Sequence, residues 1–156
     1  MRVGFIVARG ATRQKLTNIW QILGRSVSLA EQLTLENFIR SGSLARHLRI
    51  ARQTYAERRD CLIKILETNA TGRFTISGHE AGFHFILWLK NGDSEAVFCA
   101  KARANGITLQ PLSTFCKDIS LPPAVLIGYA ALTKDEIKGA GLKLASILSQ
   151  HQEINS

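Results

Sequence analysis

The sequence predicts an α/β fold, and three observations carry the prediction. A long amphipathic helix runs through the middle of the chain, capping-box patterns open two further helices, and short apolar runs of strand character stand between helical stretches. With 156 residues, 46% hydrophobic and 21% charged, the chain has the size and composition of one α/β domain with its own core.

The elements follow in order. The run VGFIV at residues 3–7 is apolar without polar alternation, the pattern of a strand buried on both faces of a parallel sheet. No other strand pattern appears before residue 40. Residues 12–23 read as a helix stopped by Gly24, and Ser28 with Glu31 forms a capping box opening a second helix through Ile39, ended by Gly42. Ser43 is the expected N-cap of the long helix, which runs to about Ala70 before Gly72 breaks it. Within it, Leu44, Leu48, Ala51, Tyr55, Leu62, Ile65 and Leu66 fall on one stripe. Arg46 and Arg49 project from the opposite side, and Arg52 and Arg59 flank the stripe. Arg58 sits at the edge of the apolar arc, so its head must reach water or an acidic partner. Asp60 and Lys64 have the i,i+4 spacing that supports a helix.

After Gly72, Phe83, Phe85, Leu87 and Leu89 alternate with His84, Ile86 and Trp88, a strand whose second face is also largely apolar. Asp93 or Ser94 can cap a helix over 95–104 closed by Asn105 and Gly106, and a short strand is expected at 107–109, the beginning of a βαβ unit. Residues 125–131 make another strand, and Thr133 with Glu136 is the second capping box, starting a final helix to about Leu148. The lone strand at 3–7 is the anomaly, because an apolar strand without a neighbour leaves its backbone groups unpaired. It implies a chain that is the trailing part of a larger protein, or one that pairs with a second copy; at least a dimer is expected.

Charge is distributed unevenly. Residues 1–66 hold 12 Lys+Arg against 4 Asp+Glu, while residues 67–156 hold 8 of each, so the net +8 lies entirely in the first part. A nucleic-acid surface is one reading of this excess. Against it, aromatic residues do not interleave with the arginines and no helix-turn-helix or zinc-finger signature appears, which favours a solvated or subunit-facing basic surface. Cys61, Cys99 and Cys116 are far apart with no histidine at ligand spacing, as expected of reduced structural thiols. No apolar run approaches the ~20 residues that span a bilayer, and the opening residues do not form a secretory leader, so a cytoplasmic protein without membrane contact is expected.

Candidate chemistry is sparse. His79, Glu80 and His84 could suggest a metal or acid/base group, but Gly82 interrupts the regular backbone between them and no third ligand is evident; partly buried, satisfied histidines are the favoured reading. His47 and His151 read as surface residues on helices. Ser113, Thr114 and Cys116 follow Pro111 on a loop without the spacing of a nucleophile and its base. The glycines make no dinucleotide or phosphate-loop pattern.

Taken together, RVGFIV at 2–7, RHLRIARQTYAERRDCLIKIL at 46–66, AGFHFILWL at 81–89, ARANGITLQPLS at 102–113 and LIGYAALTKDEIKGAGLKLA at 126–145 resemble the C-terminal end of MocR-type regulators of the GntR superfamily. These join a winged-helix DNA-binding domain to an aminotransferase-like domain of the fold-type I pyridoxal-phosphate class. The resemblance implies that residues 1–42 are a remnant of the large domain, a lone strand and helices, and that 43–156 form the connecting helix and the small α/β domain. It implies a phosphate contact to pyridoxal phosphate from Arg2, in the full-length protein only. The Schiff-base lysine and the aspartate that pairs with the pyridine nitrogen belong upstream of residue 1, so the chain alone is expected to bind no cofactor, to contain no catalytic residue and to hold no metal. Leu126 occupies the position where many such aminotransferases carry a carboxylate-binding arginine, a departure that favours a regulator over an enzyme. The implied partners are a second copy, DNA through an absent N-terminal domain, and an amino-compound effector. A fragment of a fold-type I aminotransferase is the alternative, and a basic helical module for nucleic acid or an acidic partner is the reading from another class.

Overall fold

The structure, a computed structural model, describes residues 3–24, 27–80, 82–90, 94–117 and 119–150. Its residues divide into two units, Met1–Ile50 and Ala51–Ser156. The first contains α1 (Gly10–Leu23), α2 (Leu29–Arg40) and the start of α3 (Ser43–Asn69). Gly24 ends α1 in the left-handed region at φ 61°, its N–H donating to the Trp20 carbonyl. Ser28 stands at the N-cap of α2, but its side chain makes no capping bond, which corrects the expected capping box. Entry is held instead by Gln32, whose backbone N–H donates to the Ser28 carbonyl and whose side-chain amide donates to the Val27 carbonyl.

The expected strand at 3–7 does not form. Phe5, Ile6 and Val7 are 91%, 71% and 80% exposed, because no neighbouring strand among the described residues supplies a ladder. Neither α1 nor α2 has a buried residue.

The second unit holds the core. Its sheet has four strands, β1 (Phe74–Ser77), β2 (His84–Leu89), β3 (Gln110–Pro111) and β4 (Ala124–Gly128), in the order β1-β2-β4-β3 with every neighbouring pair antiparallel. Strands β2 and β3 are therefore parallel to each other with β4 between them, and α4 (Glu95–Ala104) connects them. Three sequence expectations need correction here. β1 was not anticipated, β3 lies just beyond the expected 107–109, and β4 ends at Gly128 rather than at residue 131.

Period-2 alternation decides what each strand buries. Phe85, Leu87 and Leu89 of β2 pair in register with Ile127 and Val125 of β4 and with Ile76 and Phe74 of β1. That face packs with Leu62 and Leu66 of α3, Phe98 and Ala102 of α4, and Ile137, Leu144 and Leu148 of α5 (Lys134–Gln150) in one cluster. The result is two layers, helices against one face of the sheet. The other face carries Ile86, Trp88 and Leu126, all half-buried, with the Trp88 indole donating to Ser77 Oγ at 2.7 Å. None of the strand residues is Lys, Arg, Asp or Glu.

Two caps fix the helices against this sheet. Ser94 Oγ accepts from the Val97 N–H at 3.2 Å at the start of α4. At α5 the expected capping box is formed: the Glu136 carboxylate accepts from the Thr133 N–H and hydroxyl, both at 2.7 Å, and Thr133 Oγ1 accepts from the Glu136 N–H at 3.3 Å.

Candidate functional site

Where β3 stops pairing with β4, the chain at 106–109 leaves the sheet and a groove opens. The last paired position is Gln110 opposite Leu126, while the groove is lined by Gly106, Ile107, Thr108 and Leu109 on one side and by the end of β4 and the N-terminal half of α5 on the other. Its volume is about 810 Å³, within the range of ligand-sized clefts. Tyr55 and Phe83 close one end with an edge-to-face contact, ring centroids 4.8 Å apart at 79°. Small residues, Gly128, Ala130, Ala131, Gly139 and Ala140, leave the space.

The two charged groups of the groove are engaged with the fold. Glu136 belongs to the capping box, and its two hydrogen bonds from Thr133 hold its carboxyl below the usual glutamate range. Lys143 Nζ donates to the Asn105 carbonyl at 3.4 Å, and His84 lies against Gly128, its Cδ2 3.2 Å from where a Cβ would stand.

Beside the groove, side-chain donors fasten the loop between β1 and β2. Arg59 Nη1 donates to the His79 carbonyl at 2.9 Å, and the hydroxyl of the 2% exposed Tyr129 donates to the Gly82 carbonyl at 3.0 Å. Burial pushes the Tyr129 hydroxyl above its usual pKa. The hydrogen bond to Asp60, 2.8 Å from Arg59 Nε, raises the Arg59 guanidinium. Arg58 is half-buried. Its guanidinium donates to the Ala130 carbonyl, stands 5.9 Å over the Tyr55 ring and helps to lower the Glu136 carboxyl by its charge. Asp60 pairs with Arg59 rather than with Lys64.

The residues singled out in the sequence are scattered. Arg2 and His151 lie outside the described residues. Glu80 is exposed, His84 is in the groove wall, and His79 presents a buried Nδ1 without a hydrogen-bond partner. Among the described residues no group of His, Cys, Asp and Glu could hold a metal. Ser113 and Thr114 are spent on structure: Ser113 donates through N–H and hydroxyl to Glu95, and Thr114 donates to the Pro111 carbonyl. Cys116 similarly donates to the Leu112 carbonyl. Leu126 is half-buried between Gln110 of β3 and Ile86 of β2, so this row of the sheet offers no cation to a carboxylate. Sequence reasoning missed Glu95 and Tyr129; a carboxylate at the first position of a helix was the one signal for Glu95.

No family model matches the chain. Among curated proteins it is 27% identical over 138 residues to the uncharacterized HTH-type transcriptional regulator YhdI of Bacillus subtilis, covering 88% of this chain and 29% of that protein. It is 28% identical over 134 residues to the probable rhizopine catabolism regulatory protein MocR of Rhizobium meliloti, covering 85% and 27%. Both relatives are described as regulators, one of HTH type and the other MocR itself. The chain spans under a third of the length of these curated relatives. Of solved structures, LysN, the α-aminoadipate aminotransferase of Thermus thermophilus complexed with N-(5'-phosphopyridoxyl)-L-leucine, matches with TM-score 0.78 at 19% identity over 92% of this chain and 37% of that one. Kynurenine aminotransferase of Pyrococcus horikoshii matches with TM-score 0.67 at 19% identity over 74% and 29%. The fold is thus that of part of a fold-type I aminotransferase, and the curated relatives are regulators.

Proposed function

We propose that the chain is the C-terminal portion of the aminotransferase-like, effector-sensing domain of a MocR-type transcriptional regulator. The observation that carries this reading is the pairing of an aminotransferase fold, TM-score 0.78, with curated relatives that are regulators. In this reading residues 1–42 belong with a large domain lying upstream, residues 43–156 form the connecting helix and small domain, and DNA is contacted by a separate N-terminal domain. The protein acts in the cytoplasm as a homodimer and responds to an amino compound. No helix among the described residues is long and apolar enough to cross a membrane.

Pyridoxal phosphate does not fit the site that the described residues make. The groove is walled by apolar side chains, its lysine amine is on a backbone carbonyl, and no arginine lines it. The cofactor is assigned to the upstream part of the full-length protein, where Arg2 contributes a phosphate contact, and the present chain is catalytically silent. The test uses both forms. The full-length protein is expected to show a borohydride-fixable cofactor absorbance that changes with an amino compound and to bind its promoter DNA. The chain alone should show no such absorbance. A winged-helix domain upstream supports the regulator, whereas an enzyme N-terminus and transaminase turnover would replace it with an aminotransferase.

A further inference from the structure

Helices cover one face of the sheet and leave the other open. On the covered face Phe85, Leu87 and Val125 are 1%, 0% and 0% exposed, so that side has no room for a ligand. The open face carries a row that the register sets straight across all four strands: Ser77 of β1, Ile86 of β2, Leu126 of β4 and Gln110 of β3. On the same face the Trp88 indole is held by its 2.7 Å hydrogen bond to Ser77 Oγ, so its ring stands in a fixed orientation. Ile86, Trp88 and Leu126 are half-buried, and the neutral carboxamide of Gln110 is exposed at the margin. Apolar and aromatic side chains with a few polar groups beside them are what small-molecule sites are made of.

The charge of this face decides what it accepts. His84 is the only ionisable side chain on the four strands, and its ring lies over Gly128 at the sheet's end, Cδ2 3.2 Å from where a Cβ would stand. Arg73 and Lys90, the next cations along β1 and β2, come four residues from Ser77 and Ile86, about 13 Å along the strands. A carboxylate set down at Leu126 would lose water without gaining a cation, whereas an alkyl or aromatic group would gain contact. We infer that the open face is one wall of the effector site, and that Leu126 selects a compound with an apolar group and no carboxylate, an amine rather than an amino acid. This rests on the reading above that the chain is part of an effector-sensing domain responding to an amino compound, and it adds the class of that compound.

The test uses pairs that differ only by the carboxylate, 2-phenylethylamine with L-phenylalanine and 3-methylbutylamine with L-leucine, titrated into the full-length protein by calorimetry. At least one amine is expected to bind about tenfold tighter than its amino acid, or more. Leu126→Arg adds the missing cation and should shift that ratio about tenfold towards the amino acid, while Leu126→Met, close in volume, keeps it. Amino acids bound as tightly as the amines by the wild-type protein, or no binding by either amine, would overturn the inference, and these results need no variant to fold. A Leu126→Arg protein with the wild-type melting temperature and an unmoved ratio would overturn it too, by taking Leu126 out of the site. If the full-length protein shows no borohydride-fixable cofactor absorbance, the functional reading itself falls. Where that absorbance is present and the ratio runs the other way, only the class of effector falls.

Discussion

Glu95 does more for the fold than its position in the sequence suggests. Its Oε1 accepts from the N–H of Ala124, a fully buried residue at the start of β4, at 2.9 Å, while Oε2 accepts from the hydroxyl and N–H of Ser113 at 2.5 and 3.3 Å. One carboxylate thereby ties α4 to the 3-10 turn Leu112–Phe115 and to β4. Glu95→Ala leaves the buried Ala124 N–H without its acceptor, and a loss of about 1–3 kcal/mol is expected in urea unfolding. Glu136 supplies a pH signature. Its carboxyl is depressed in the folded state by the Thr133 hydrogen bonds, so its contribution is present above the ordinary glutamate pKa of ~4.3 and is lost as pH falls through the lower folded value. Glu136→Gln should therefore narrow the stability gap to wild type as pH drops from 6 towards 3, read from melting temperatures on a pH series. A gap that does not change over that range would show that the carboxylate form is not what the cap uses.

At the scale of elements, Gly141 of α5 packs tightly against α3. A Cβ there would stand 3.1 Å from Leu62 Cδ1 and 3.2 Å from Ile65 Cγ2, so the helices approach through the missing side chain. Gly141→Leu should overfill the contact and cost ~1–3 kcal/mol despite the better helix propensity, measurable as a lowered unfolding midpoint. The elements also show what the sequence made legible. The helices were readable because period and caps are local: α4 and α5 begin where Ser94 and Thr133 announce them, and Gly24 and Gly72 stand just past the ends of α1 and α3. Strand β1 was not, because FTIS is four residues long and its pairing with β2 is a tertiary fact. Residues 3–7 failed for the converse reason, since an apolar run becomes a strand only beside another. The groove was illegible too, as it depends on where the β3–β4 ladder stops. Arg58 could be seen to need a partner, but the backbone carbonyls that Arg58 and Arg59 use leave no mark in sequence.

For the whole molecule, stability should be uneven. Every core residue lies between Leu62 and Leu148, while α1 and α2 bury nothing among the described residues. Backbone amides of α1 and α2 should exchange with deuterium near the rate of local fraying in this chain, and those of β2 and β4 only at the rate of global opening. Equal protection in the two units would show that residues 1–50 have found cover. The whole-molecule reading was also the part that the resemblance supplied best. Five separated segments in the right order pointed to MocR-type proteins, where no single residue did, and the curated regulators and the aminotransferase fold each match most of the chain.

The proline of β3 has a protective effect. A sheet lying apart from the rest of its protein is prone to recruit strands from neighbouring molecules along any open edge. Here the margin beyond β4 is only Gln110 and Pro111, and proline has no N–H to offer an incoming strand. Proline blunts that side of the sheet where β3 covers it, while the Ile127 and Gly128 end of β4 and the outer side of β1 are the margins where stray pairing during synthesis and folding must be prevented.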